Sequence, residues 1–185
     1  VGYAPTCGVA YPATESADDI AAAKKVYFGF DNPMDNWTWN VAWFSDPVFL
    51  GEYPKEGLEK FAPYLPEITE EDMQLIHQPL DFMGQNIYNG YIIRCGADGN
   101  HFRRSEERRV GKAKTGTGWP VTPEALYYGI RFLTERYRLP LYITENGMSD
   151  LDNISADGQV HDSERITFLD AYLGAVQRAI NEGMP

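Results

Sequence analysis

The sequence predicts an α/β fold in which helices flank a parallel sheet, and two observations lead to this prediction. Three short apolar stretches are typical of buried strands: Val1–Ala4, Leu80–Tyr88 and Leu141–Thr144. Each is followed, after a long connection, by a segment with helical periodicity, and such alternation gives parallel strands. Because three strands are few for such a sheet, the chain is predicted to be part of a larger α/β fold, such as a (β/α)8 barrel of ~250 residues.

Composition indicates one globular domain over residues 1–185 and excludes several function classes. Hydrophobic residues make up 43%, and the net charge is −11, which argues against nucleic acid or an anionic membrane as partner. Three histidines and two cysteines, without C-x-x-C or H-E-x-x-H spacing, argue against a zinc site. No signal-peptide pattern opens the chain, which favours a cytoplasmic location. Because the chain begins at Val1 rather than Met, we expect upstream sequence to be missing.

The first predicted helix begins after Ser16, which with Asp19 resembles a capping box that has Asp in place of Glu. Before it, Cys7–Thr14 is rich in small residues, glycine and proline and is predicted to be a loop. After it, residues 30–66 combine many aromatic residues with five prolines. This pattern predicts a long packed loop with short helices, which is uncommon unless it serves function.

Capping signals also mark the later helices. Thr69 is predicted to cap a short helix that ends near Ile76, and Gly90–Cys95 extends or pairs with the strand before it. Residues 96–118 are predicted to be a loop. Thr122, as N-cap before Pro123, starts a helix with a buried stripe at Leu126, Ile130 and Leu133.

The last predicted helix is capped by Asp162 and ended by Gly183. Its predicted buried stripe is Leu169, Leu173, Val176 and Ile180.

Two groups of polar residues follow predicted strands. Glu145 ends the last strand, at the position where (β/α)8 barrels carry their chemistry, although it could also be a surface residue before an Asn-Gly turn. Asn86 and Tyr88 are two residues apart, so on a strand both would point to one face. An amide and a phenol on that face suit hydroxylated ligands. The alternative is a tyrosine whose hydroxyl reaches the solvent edge.

Five segments resemble the family 1 glycoside hydrolases, the β-glucosidases, in the order of that family. YITENG (142–147) resembles their nucleophile segment, and DFMGQNIY (81–88) their N-x-Y strand. WFSDPVFLGEYP (43–54) resembles a further segment of the family, and GYAPTCGVAYPATESADDIAAAKK (2–25) resembles their fifth strand with its loop and helix. GWPVTPEALYYGIRFLTERYRLPLYITENGMSD (118–150) matches almost without a break.

This resemblance implies a (β/α)8 barrel of which the chain covers about strands five to seven. It implies that Glu145 is the catalytic nucleophile and that Tyr88 hydrogen-bonds and orients its carboxylate. Asn86 would lie near the bound sugar, and Trp119 would line the aglycone side, unless it only packs at the start of its helix. The implied reaction is hydrolysis of a terminal β-glucoside or oligosaccharide with retention, and it requires no metal or organic cofactor.

The sequence also departs from the family. The Asn-Glu-Pro motif that carries the acid/base residue does not occur in it. We therefore expect a fragment that holds half of the catalytic pair, is inactive alone and needs the missing parts of its own barrel. Where the chain has the basic run RRSEERRVGK (103–112), family members usually carry Pro-rich sequence, and the run is assigned no function.

Two alternatives stay open. A phospho-β-glycosidase shares the barrel, and a non-catalytic sugar-binding protein would keep the pocket. An upstream Asn-Glu-Pro motif would favour an enzyme over a binding protein.

Overall fold

A computed structural model describes residues 1–30, 39–97, 101–104 and 111–185. The strands in these ranges are β1 (Gly2–Tyr3), β2 (Val9–Pro12), β3 (Phe82–Asn86), β4 (Gly90–Cys95), β5 (His101–Arg104) and β6 (Leu141–Glu145). The helices are α1 (Ala17–Phe28), α2 (Val41–Phe49), α3 (Lys55–Phe61), α4 (Glu70–Ile76), α5 (Pro123–Tyr137) and α6 (Ser163–Asn181), with a 3-10 turn at Ala62–Tyr64. Three stretches with sequence predictions lie outside the described residues: 31–38 of the long aromatic loop, 98–100 of the predicted loop 96–118, and 105–110 of the basic run.

The strands form two small sheets. In the first, β1, β3 and β6 are neighbours in that order and all run parallel, which confirms the predicted parallel arrangement. In the second, β2 pairs in parallel with β4, and β5 pairs antiparallel with β4. Helix α1 packs on β2 and β4, and α5 packs on β2, so the core lies between the sheets and these helices.

Three predictions about the positions and pairing of strands are wrong. The segment Cys7–Thr14 contains strand β2, whose residues are buried, because Val9, Ala10 and Tyr11 fit beneath the helices despite the flanking glycine and proline. Gly90–Cys95 pairs with β2 and not with the strand before it. Residues 96–118 include β5, which pairs with β4.

The helix starts agree with the sequence in most respects. The Ser16 side chain accepts a hydrogen bond from the Asp19 amide (3.2 Å), and Thr69 with Asp72 forms a complete capping box. The stripe of α5 at Leu126, Ile130 and Leu133 is buried as predicted. Thr122 precedes α5 but makes no side-chain cap; its hydroxyl is bonded elsewhere. Asp162 also makes no side-chain cap, whereas Gly183 follows α6 with a φ of +87°, as its predicted role requires.

One side of the structure is open. Strand β6 is not buried as predicted, and Tyr142 on it is 60% exposed. In α6 the predicted stripe is wrong at three of its four positions: Leu169, Leu173 and Ile180 are exposed, whereas Val176 is partly buried against the core. Phe168, Tyr172 and Ala179 are buried instead. The helix packs on α5 through the face one residue before the predicted one. Hydrophobicity alone did not distinguish these faces, because both are apolar.

Within the described ranges, no helix is both long and apolar enough to cross a membrane.

Candidate active site

The candidate site lies where β3 and β6 end. Because the two strands are parallel neighbours, their carboxyl ends meet at the same edge of the sheet. Asn86, the last residue of β3, is in register with Glu145, the last residue of β6, after a shift in pairing between Gln85 and Asn86. Glu145 is exposed and Asn86 is partly buried, so both remain accessible at this edge.

Tyr88 contacts the carboxylate directly. Its hydroxyl donates a hydrogen bond to Glu145 Oε2. This bond raises the pKa of Tyr88 above its ordinary value, and partial burial and the negative charge of Glu145 act in the same direction. The phenol therefore stays protonated, as a donor to the carboxylate must. Strand β3 ends at Asn86, so Tyr88 reaches Glu145 from the turn after the strand and not from the strand face that the spacing predicted.

Further contacts fasten the two strand ends together. The Ile87 amide donates to the Glu145 carbonyl (3.0 Å), and Asn146 Nδ2 donates to the Ile87 carbonyl (2.8 Å). Thr144 Oγ1 donates to Asn86 Oδ1 (2.6 Å), which leaves the Asn86 amide nitrogen to donate to a ligand. Sequence reasoning did not select Thr144 or Asn146. The feature of the sequence that could have indicated them is their position on either side of Glu145.

Trp119 lies against Tyr88. Their ring centroids are 5.7 Å apart and the rings are tilted by 61°, an edge-to-face contact. Trp119 is 48% exposed, so part of the indole remains free to contact a ligand. Its backbone is fixed by a reciprocal pair of bonds with Thr115: Thr115 N donates to Trp119 O (2.9 Å), and Trp119 N donates to Thr115 Oγ1 (3.1 Å).

The loop before α5 is also joined to the loop after β6. The Gly116 amide donates to the Ser149 carbonyl (2.8 Å), and the Thr117 amide donates to Ser149 Oγ (3.0 Å). A Cβ on Gly116 would approach the Asp150 backbone to about 3.0 Å, so glycine permits this close contact. The segment that carries Trp119 is thereby held beside the segment that carries Glu145.

The structure thus brings the four predicted site residues to one edge of the sheet. Glu145, Tyr88 and Trp119 form a continuous series of contacts, and Asn86 joins it by strand register. In the part of the chain that the structure describes, no group of three His, Cys, Asp or Glu side chains is placed to hold a metal ion.

Comparison with known proteins identifies the family. The model of glycosyl hydrolase family 1 matches residues 1–185. The chain belongs to glycosyl hydrolase family 1. Beta-glucosidase A of Thermotoga maritima is 35% identical over 186 residues, and 1,4-beta-D-glucan glucohydrolase of Thermotoga neapolitana is 36% identical over 186 residues. Each alignment includes 100% of this chain but only 39% and 41% of the relative, so the chain spans about two fifths of their length.

Solved structures of family 1 agree with this assignment. The chain superimposes on a family 1 β-glucosidase from Thermotoga maritima in complex with isofagomine lactam with a TM-score of 0.75, at 34% identity. The same values are found for the β-glucosidase of that organism in complex with glucoimidazole. In both cases 100% of this chain matches 39% of the other. The fold described above is therefore a portion of the family's (β/α)8 barrel.

Proposed function

We propose that the chain is the nucleophile-bearing part of a retaining β-glycosidase of the β-glucosidase type. The observation that carries this proposal is Glu145, a carboxylate at a strand end of a family 1 chain, held by a phenol that stays protonated. A nucleophilic carboxylate must be ionised, and a hydrogen bond to its charged form favours ionisation. Tyr88 engages Oε2, which leaves Oε1 for attack.

We assign residues 1–185 to one catalytic domain and to about strands five to seven of its barrel. The three parallel strands with their helices, and a match to about two fifths of each relative, support this assignment. The open side of the structure also supports it: Tyr142 on β6 and Leu173 on α6 are more than half exposed. Further barrel strands would bury these side chains and supply the second carboxyl group. Residues 1–185 alone would then be inactive.

In the proposed reaction Glu145 attacks the anomeric carbon and forms a covalent glycosyl-enzyme. The second carboxyl group, about 5–5.5 Å from the first in retaining enzymes, protonates the leaving oxygen and then activates water. This second step restores the configuration of the starting glycoside. Tyr88 orients the Glu145 carboxylate before attack. It donates to the carboxylate again when the intermediate breaks down and the negative charge returns to Glu145.

We propose a terminal β-D-glucosyl group as the substrate, because the relatives are named as β-glucosidases and a glucan glucohydrolase. The Asn86 amide, with its oxygen already bonded to Thr144, would donate to a sugar hydroxyl. The exposed part of the Trp119 indole would form an apolar wall for the aglycone.

The test replaces the nucleophile in the complete protein that contains this chain. We expect Glu145→Ala to lower kcat on an aryl β-glucoside by about 10⁴-fold or more, because loss of a nucleophile removes the covalent route. Azide should partly restore turnover and give a glycosyl azide of inverted configuration, because a small anion fits the vacated space. Glu164→Gln, an exposed change in the first turn of α6, is the control and should leave kcat unchanged. A Glu145→Ala variant with most of its kcat would disprove the role of Glu145.

A further inference from the structure

Tyr172 connects the outer helix α6 to the candidate site. It is 1% exposed, and its ring stacks on Phe168 with centroids 3.9 Å apart and an angle of 19°. Stacking fixes the ring, so the position of the hydroxyl is fixed as well. A buried hydroxyl needs hydrogen-bond partners, and those of Tyr172 lie at the end of β3 and at the start of α5.

The Tyr172 hydroxyl makes two hydrogen bonds to backbone groups. It donates to the carbonyl of Tyr88 (2.8 Å) and accepts from the amide of Thr122 (2.9 Å). Thr122 Oγ1 in turn accepts from the amide of Gly90 (3.0 Å). We call these three bonds the Tyr172 bridge. It joins the 88–90 turn to the start of α5 at two points.

The bridge restrains both aromatic residues of the site. Tyr88 lies beyond the hydrogen-bonded part of β3, so its backbone position depends on contacts such as this one. Trp119 is three residues before Thr122, and its ring rests on that of Tyr88. A bond network that links the backbone of Tyr88 to that of Thr122 therefore sets the spacing between the phenol that holds Glu145 and the indole beside it.

We propose that Tyr172 is a positioning residue for the Tyr88–Glu145 pair. This inference rests on the proposed function, because it assigns Tyr172 a part in the same reaction. Tyr172 touches neither Glu145 nor the space for a substrate; it acts through the backbone of Tyr88. Its effect should therefore depend on the Tyr88 hydroxyl, whereas a contribution to general stability would not.

A double-mutant cycle in the complete protein tests this dependence. We expect Tyr172→Phe to lower kcat on an aryl β-glucoside by about 10- to 100-fold, because small misplacements of catalytic groups have effects of that size. KM should change by less than about threefold. In a Tyr88→Phe background the same substitution should change kcat by less than about twofold, because the hydroxyl that it positions is already absent.

Tyr137→Phe is the matched control. Tyr137 is also buried, and its hydroxyl donates to Asp46 (2.8 Å) at the opposite end of α5 from Thr122. We expect this variant to keep kcat within about twofold in both backgrounds while its melting temperature falls. Equal kcat losses from Tyr172→Phe in the two backgrounds, or a kcat like that of Tyr137→Phe, would overturn the proposal.

A second pair of variants serves if Tyr172→Phe fails to fold. Thr122→Val removes the hydroxyl that accepts from the Gly90 amide and should lower kcat, as Tyr172→Phe does. Thr122→Ser should keep the kcat of the unmodified protein, because serine retains the hydroxyl. A Thr122→Val protein with normal kcat would also overturn the proposal. Failure of the proposed function is distinguishable from these outcomes. In that case the unmodified protein would not hydrolyse the aryl β-glucoside, or its Glu145→Ala variant would keep most of the kcat.

Discussion

Two tyrosine–carboxylate pairs in this molecule have opposite surroundings. Tyr88 donates to Glu145 at the exposed edge of the sheet, whereas Tyr137 donates to Asp46 (2.8 Å) at the far end of α5. The Asp46 side chain is only 4% exposed and also receives Arg136, whose Nε lies 2.8 Å from Oδ1 and whose Nη2 donates to Oδ2. Both of its oxygens are therefore engaged by donors, and its charge is balanced by a guanidinium.

The difference separates a structural carboxylate from one that is able to react. Pairing with Asp46 raises the pKa of Arg136, so the guanidinium keeps its charge, and burial followed by the charge of Asp46 raises the pKa of Tyr137, so its phenol stays protonated. Glu145 is exposed, and a neutral phenol holds one of its oxygens. A guanidinium bound to both oxygens would stabilise the charge of Glu145 and block its attack. The comparison predicts activity effects at the first pair and stability effects at the second.

The largest effect of a single hydroxyl is expected at Tyr88. Tyr88→Phe should lower kcat by about 10²–10³-fold, since one donor to a reacting charge contributes roughly 2.7–4 kcal/mol. The melting temperature should change little, because the residue is only partly buried. Steady-state kinetics on an aryl β-glucoside and thermal unfolding of the complete protein provide the two readouts. A kcat within about threefold of the unmodified enzyme would contradict the role of Tyr88.

Asp46 should show the reverse pattern. Asp46→Asn leaves the Arg136 guanidinium without its counter-charge and should destabilise the fold. Breaking a buried pair costs about 3–5 kcal/mol, and because the Arg136 side chain is 31% exposed we expect about 2–3 kcal/mol. Urea unfolding measures the loss, and kcat at a temperature where the variant is folded should be unchanged. A reduced kcat without loss of stability would mean that the two pairs do not differ as described.

Part of this architecture could be predicted from the sequence. Alternation of strands and helices places Glu145 and Asn86 at one sheet edge, and Ser16 and Thr69 mark helix starts by local chemistry. Strand β2 was not predicted, because the glycine and proline residues in its segment are typical of loops and its burial depends on distant parts of the chain.

Contacts between distant segments could not be predicted in the same way. The Thr144–Asn86 bond depends on strand register across 58 residues, and the Tyr172 bridge depends on which face of α6 is covered. Neither is encoded by local spacing.

Asp19 offers the smallest effect and tests whether a buried carboxylate can be stabilised mainly by neutral donors. It is 5% exposed; Thr14 Oγ1 donates to its Oδ2 (2.6 Å) and the Cys95 amide to its Oδ1 (2.8 Å). Burial raises the pKa of Asp19, but these hydrogen bonds and the charge of Arg94 lower it more, so the pKa lies below the ordinary value.

Because the folded-state pKa of Asp19 is lowered, its contribution to stability is present above the unfolded-state pKa of about 3.9 and is lost as pH falls through the folded-state value. Asp19→Asn should therefore cost about 1–2 kcal/mol at pH 7, and the gap to the unmodified protein should shrink below about pH 4. Urea unfolding of both proteins between pH 7 and pH 3 measures the gap. A gap that stays constant over this range would mean that the neutral donors do not favour the charged form.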